Sequence, residues 1–392
     1  MSFSEDSVRL NREAMRAMAA RRLTEAEGLL SQALQFDSRS LPVWMNLAAI
    51  KRAQGDLAGA MTAIDEARQI DPLYFPALLM RGSLYEAMGK PRHAAYAYIV
   101  ALTQMLPEDL TDAATERAVA HAREAVAKHR DEMEAYLRGE VALEPARGGD
   151  SAAARRMTAF LGHVTGKRHL YQPAPSNFYY PGLAPREFFE REEFPWIAGL
   201  EAATADMQVE LAGIFADEAA SADIVPYAQL PDTEPLEQWA DLNNSLSWSA
   251  YHFAQHGDLV ADHRRKCPKT AALLDGLGQP RVLHRSPTAL FSILRPKTHI
   301  PPHSGFSNFR VICHLPLVVP PDCHFRVGNE MRQWRIGETL IFDDTIEHEA
   351  WNNSDHIRSV LIFDMWHPDL HEEERDFISR TIAARDRFNE SA

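Results

Sequence analysis

The chain has 392 residues, 45% of them hydrophobic and 24% charged, a composition ordinary for folded globular domains and a length sufficient for two of them. Its net charge of −14, from 41 basic and 55 acidic side chains, excludes a general nucleic-acid binder, which needs Lys and Arg in excess to meet phosphates. No apolar run reaches membrane-spanning length, the start MSFSEDSVRLNREAMR holds no apolar signal core, and Cys267, Cys313 and Cys323 form no CxxC pair, so no membrane span and a reduced, cytoplasmic setting are expected.

The first element in chain order is a repeat. Ala26, Ala60 and Ala94 stand thirty-four residues apart, as do Leu30, Ile64 and Tyr98, and Ala33, Ala67 and Ala101. A small residue followed four positions on by a larger one suits a helix hairpin: the alanine lets two helices approach and the larger side chain fills the gap. Leu10, Trp44 and Leu78 share another offset, and Gly82, Tyr85 and Pro107 fit the same pattern. This resembles the tetratricopeptide repeat in three copies over residues 5–107, weakest in the first. The resemblance implies an α-solenoid, either with a concave surface for a protein or peptide partner or as a packing platform for the rest of the chain.

Asp112 to Val141 is Ala- and Glu-rich and helical in pattern, a cap for the solenoid's end. EPARGGDS reads as a break, AAARRMTAFLGHV as a short helix, and YQPAPSNFYYPGLAP, with four prolines, as an extended linker. REFFEREEFPWIAGLEAATADMQVELAGIFADEAA gives an entry turn and an amphipathic helix. From about residue 246 the period changes to two. LSWSAYHFAQHG, TALFSILRP, NFRVICHLPLVV, HFRVGN, MRQWRIGETLIFDD, EHEAWNNS and IRSVLIFDMWHP read as strands separated by Gly, Pro, Asn and Asp turns. Many short strands in one block suggest a β-sandwich or jelly roll. The expected organisation is therefore α+β and multidomain: repeats over 1–107, a helical cap and linker over 108–177, and a β domain with flanking helices over 178–392.

Three residues in this block call for chemistry. His303 precedes a strand, His348 follows forty-five residues later, and Arg358 lies inside the apolar strand IRSVLIFDMW. An arginine there is costly unless it meets an anion, and a guanidinium fork matches a carboxylate. Two imidazoles and a buried arginine outline a non-haem iron site with a dicarboxylate co-substrate. Arg310, Ile312 and His314 share one face of their strand by period two; Val311, Cys313 and Leu315 share the other.

The stretches FSILRPKTHIPPHSGFSNFRVICHLPLVVP and GETLIFDDTIEHEAWNNSDHIRSVLIFDMWHPDL closely resemble the aspartyl/asparaginyl β-hydroxylases, specifically across residues 286–370. The resemblance implies a double-stranded β-helix (jelly-roll) domain and an Fe(II)- and 2-oxoglutarate-dependent dioxygenase that consumes O₂ and releases succinate and CO₂. It implies His303 and His348 as iron ligands. Where a facial triad would place its carboxylate this chain has Gly305, and the family characteristically lacks that ligand. Ser292 and Arg358 match residues that hold the distal carboxylate of 2-oxoglutarate, His314 one near its other carboxylate, and Arg310 one that meets an acidic substrate side chain. Ile312 departs from the arginine of animal relatives. The implied substrate is an aspartyl- or asparaginyl-type residue in a protein or peptide; a lipid or small-molecule acyl group is the alternative, and a catalytically silent interaction scaffold is another. Asp343 and Asp344 read as turn residues, and Glu347 and Glu349 as pointing away from the metal. His252, His256, His284, His324, His356, His367 and His371 have no assigned role.

Overall fold

A computed structural model describes residues 3–106, 112–141, 152–231 and 239–390. The expected boundary at 107/108 and the break EPARGGDS lie outside these residues. The chain divides into two compact units, Met1–Lys167 and Arg168–Ala392.

In the first unit α1 (Phe3–Ala19), α2 (Leu23–Phe36), α3 (Leu41–Ala53), α4 (Leu57–Ile70), α5 (Phe75–Ala87) and α6 (Pro91–Gln104) form three consecutive helix hairpins. The residues picked out by the period are the buried ones: Ala26, Ala60 and Ala94, then Leu30, Ile64 and Tyr98. Gly82 is required for that packing, because a Cβ there would run into the ring of Tyr98. Gly55 and Gly89 turn the hairpins with positive φ, and Arg21 occupies the equivalent place at φ 61°, where a side chain is disfavoured. That substitution is a physical reason for the weaker first copy. The long α7 (Ala113–Glu140) packs Val119, Ala122 and Val126 against α5 and α6, and α8 (Ala152–Val164) coincides with the short helix read from the sequence.

The second unit opens with the proline-rich segment, which is extended and hydrogen-bonded along the β domain: the amides of Ala174, Ser176 and Phe178 donate to the carbonyls of Thr345, Gly305 and Phe306. Three short helices follow, α9 (Ile197–Ala202), α10 (Thr204–Ala216) and α11 (Glu218–Ala222), where one amphipathic helix was expected. Then come β1 (Val225–Pro226), β2 (Trp248–Gln255), β3 (Asp258–Leu259), α12 (Ala261–Lys266), α13 (Pro268–Gly276), β4 (Ala289–Leu294), β5 (Thr298–His303), β6 (Arg310–Val318), β7 (Cys323–Val327), β8 (Glu330–Arg332), β9 (Leu340–Phe342), β10 (His348–Asn352), β11 (Arg358–Trp366) and α14 (Glu372–Glu390). All pairings between these strands are antiparallel.

The larger sheet runs β1-β2-β4-β11-β6-β9 with β3 paired to β2, and the smaller runs β5-β10-β7-β8. Period two divides the larger sheet cleanly. Phe291, Val311, Cys313, Leu315, Leu361 and Phe363 pack against α9, α10 and α13 on one face. Leu290, Leu294, Ile312, Val360 and Ile362 share the opposite core with Phe325, Val327 and Ala350 of the smaller sheet. The face assignment read for Arg310, Ile312 and His314 holds, and it directs them into the space between the sheets.

Candidate active site

Two paired strands bring the two histidines together. His303 ends β5, His348 begins β10, and they are direct partners in the ladder. Their ring centroids are 4.0 Å apart. His303 was read as preceding a strand; it ends one, the edge strand of its sheet, where the missing N–H groups of Pro301 and Pro302 are tolerated. Each Nδ1–H donates to a carbonyl two residues back, Pro301 O at 2.8 Å for His303 and Ile346 O at 3.1 Å for His348. That tautomer leaves Nε2 as a bare lone pair on both rings. Burial holds both imidazoles below the usual histidine range, and the neighbouring His303 lowers His348 further. Neutral rings fixed through Nδ1 are what a metal requires of histidine ligands. Among the described residues no group of three or more His, Cys, Asp and Glu side chains is arranged to hold a metal, so the pair is what this site offers.

Both rings line a cavity of about 280 Å³. Arg358 lines the same cavity, is 1% exposed and makes no ion pair among the described residues. Its guanidinium lies over Trp334, 4.5 Å from the ring centroid, and Nη1 donates to Ser292 Oγ at 3.4 Å, while Nε has no partner. Burial pulls its pKa down to about 10, so it stays cationic at neutral pH. Ser292 also accepts from Trp248 Nε1 at 3.1 Å. Ser292 faces Val360 across the β4–β11 ladder, one pleat from Arg358, which puts both side chains on one face. His314 sits opposite Ile362; its Nδ1 is buried without a partner, and burial and then Arg358 push it well below the histidine range. Ile312 lines the same wall.

Arg310 is held inside the protein by two carboxylates, Asp364 Oδ2 at 3.2 Å and Asp344 Oδ2 at 3.6 Å. Against the cost of burial these two keep it above the ordinary guanidinium range. Asp364 is anchored further by Ser286 Oγ at 2.6 Å and the Thr288 amide at 2.9 Å.

The acidic pair 343–344 divides its labour. Both lie in the turn closed by the Ile346 amide on Asp343 O, and Asp343 serves that turn, accepting from the amide and hydroxyl of Thr345. Asp344 points into the cavity instead, with Oδ1 buried and unpartnered, and burial raises it to about 7 against the pull of Arg310. A Cβ at Gly305 would collide with this carboxylate. The volume that a side chain at 305 would need is thus filled from the turn after β9. Strand parity carried a signal for Asp344, since it continues the inward set Leu340 and Phe342. Glu347 and Glu349 are bonded to Arg326, and Glu349 also to His299 Nε2 at 2.9 Å.

Comparison with known proteins covers both units. The aspartyl/asparaginyl β-hydroxylase profile matches residues 221–368, and a tetratricopeptide profile matches residues 17–80, as the motifs led one to expect. A mouse aspartyl/asparaginyl β-hydroxylase is 37% identical over 147 residues, 37% of this chain and 19% of that protein. An ornithine lipid ester-linked acyl 2-hydroxylase from Rhizobium tropici is 29% identical over 196 residues, 49% of this chain and 64% of that protein. The chain therefore spans less than a fifth of the mouse relative. The solved Sgt2 tetratricopeptide domain from Aspergillus fumigatus aligns over 38% of this chain and 93% of its own, at 26% identity and a TM-score of 0.28.

Proposed function

We propose that the second unit is a double-stranded β-helix dioxygenase that uses Fe(II), 2-oxoglutarate and O₂ to hydroxylate an aspartyl- or asparaginyl-type residue in a protein or peptide. The observation that carries this reading is Arg358: a buried guanidinium without a carboxylate, across one cavity from two imidazoles with bare Nε2 atoms. A cation so placed is costly in the empty protein and is matched by a dicarboxylate reaching from the histidines. Bound iron would supply the oxygen chemistry, coupling decarboxylation of 2-oxoglutarate to succinate and CO₂ with insertion of one oxygen atom into a substrate C–H bond.

The chain's own groups position that reaction. His303 and His348 hold the metal. Arg358 and Ser292 hold the distal carboxylate, with Trp334 excluding water from the guanidinium face. His314 donates Nδ1–H or Nε2–H to the other carboxylate. Arg310, with a buried Nε unengaged, meets the substrate's acidic group. Ile312 leaves the co-substrate one ion pair short of the animal pattern and makes that wall apolar. The repeat unit supplies a binding surface for a protein or peptide partner.

The test is aerobic incubation of purified protein with Fe(II) and 2-oxoglutarate. Succinate release is expected, and loss of it on His303→Ala with His348→Ala; absence of succinate with every substrate, together with no iron binding, would sink the reading. The lipid relative spans more of its own length than the mouse enzyme does, which keeps an acyl substrate as the second reading. Mass spectrometry separates the two: a single added oxygen on a peptide supports the first, the same addition on an acyl chain the second.

A further inference from the structure

Beside the first cavity lies a second, of about 480 Å³. Tyr227, Thr288, Phe306 and Arg310 line both. The rest of its wall brings together Arg285 with His252, His256 and His284, three of the seven histidines for which the sequence suggested no role. In a chain of net charge −14, none of the residues lining this cavity is Asp or Glu. His256 and His284 are both held at positive φ, 51° and 55°, a region uncommon for residues other than Gly though entered more readily by Asn, Asp and His, and one that clusters at functional sites. The turns that carry them are pinned together. Gly257 N donates to Pro287 O at 3.2 Å, and a Cβ on Gly257 would stand 3.2 Å from Ser286 O and 3.4 Å from His284 N. His252 shares the inward face of β2 with Trp248 and Ala250, and its Nδ1 is buried without a partner. Arg285 donates to His284 O at 3.0 Å and is ion-paired with Asp386 at 3.4 Å. Arg310, on the wall between the cavities, is assigned above to the substrate's acidic side chain, so a second anion entering here must find other donors.

We propose that this cavity is an oxyanion subsite, taking a carboxylate or phosphate carried by the substrate away from its reacting carbon, held by Arg285 and by the imidazole N–H groups of His252, His256 and His284. The word substrate rests on the hydroxylase reading; the anion site does not, and the experiment keeps them apart. Inorganic phosphate and acetate are titrated separately into the full chain by calorimetry, with 2-oxoglutarate binding followed in parallel by anaerobic tryptophan fluorescence. Saturable binding of at least one anion is expected, and the tighter of the two names the group. His284→Gly and His256→Gly delete an imidazole while relieving the backbone, so both variants should fold; each is expected to weaken the anion about tenfold and to leave 2-oxoglutarate binding unchanged. No saturable binding of either anion, or equal affinity in wild type and both variants, overturns the subsite. Anion binding with no succinate production in the turnover assay would instead count against the hydroxylase reading alone.

Discussion

In the repeat unit the buried positions picked out by the period are small or apolar, Ala26, Ala60 and Ala94 against Leu30, Ile64 and Tyr98. Between the sheets of the second unit the buried positions include Arg358, His314, His348 and Asp344, each with a polar atom that lacks a partner or a ring nitrogen left bare. Each kind of interior fails differently. A repeated apolar contact is local and replicated, so a fault in one copy is absorbed by its neighbours. An orphaned polar group destabilises the protein that carries it and is retained only for what it binds.

Arg358→Met tests that contrast most severely. It should raise KM for 2-oxoglutarate by about 100-fold or more, yet make the unliganded protein more stable, by about 1–3 kcal/mol in denaturant melts. A loss of stability would mean that the guanidinium is already satisfied. Next in size is Gly305→Asp, which restores the missing carboxylate of a facial triad in the chain but not in space. The new side chain meets Asp344, so a cost of about 1–3 kcal/mol is expected, relieved in the Gly305→Asp, Asp344→Ala pair. Gly82→Ala is the counterpart in the other unit. It forces Tyr98 out of place and should cost about 1–3 kcal/mol there, with the kinetics of 2-oxoglutarate turnover unaltered.

Acid exposes a further difference. Burial lowers His252 and His367 to about 4, so the unfolded chain takes up their protons first. Their contribution is complete above the unfolded histidine pKa of about 6.5 and is lost as pH falls from there toward 4, by up to about 1.4 kcal/mol per pH unit for each ring. Melts of His367→Asn across that range should show a shallower slope than wild type. The smallest effect belongs to Arg21→Gly, which removes a side chain from left-handed backbone and should stabilise the repeat unit by about 1 kcal/mol in thermal melts.

Much of this was legible in the sequence. The thirty-four-residue period located the helix hairpins, and period two alone sorted Arg310, Ile312 and His314 onto the cavity face. His303, His348 and Arg358 stood out because their residue types are expensive where their neighbours are apolar. The edge strand β5 was hidden by its two prolines, which argue against a strand except at an edge, and edge position is a property of the whole sheet. Asp344 was hidden by its turn: an acidic pair after a strand reads as turn residues, as both are, and only the fold brings the Asp344 carboxylate to the cavity. MRQWRIGETLIFDD read as a single strand, whereas Gly337 at φ 78° lies between β8 and β9.

By itself the sequence determined whatever repeats or alternates over a few residues: helix hairpins, strand faces, and which side chains would be costly to bury. These follow from backbone geometry, which acts between near neighbours. Tertiary structure alone decided that His303 and His348 stand across one ladder, that Asp344 fills the volume beside Gly305, and that three unassigned histidines meet Arg285 around a second cavity. Those facts depend on strand pairing and loop packing between residues far apart along the chain, and no local pattern encodes which distant partner closes the gap.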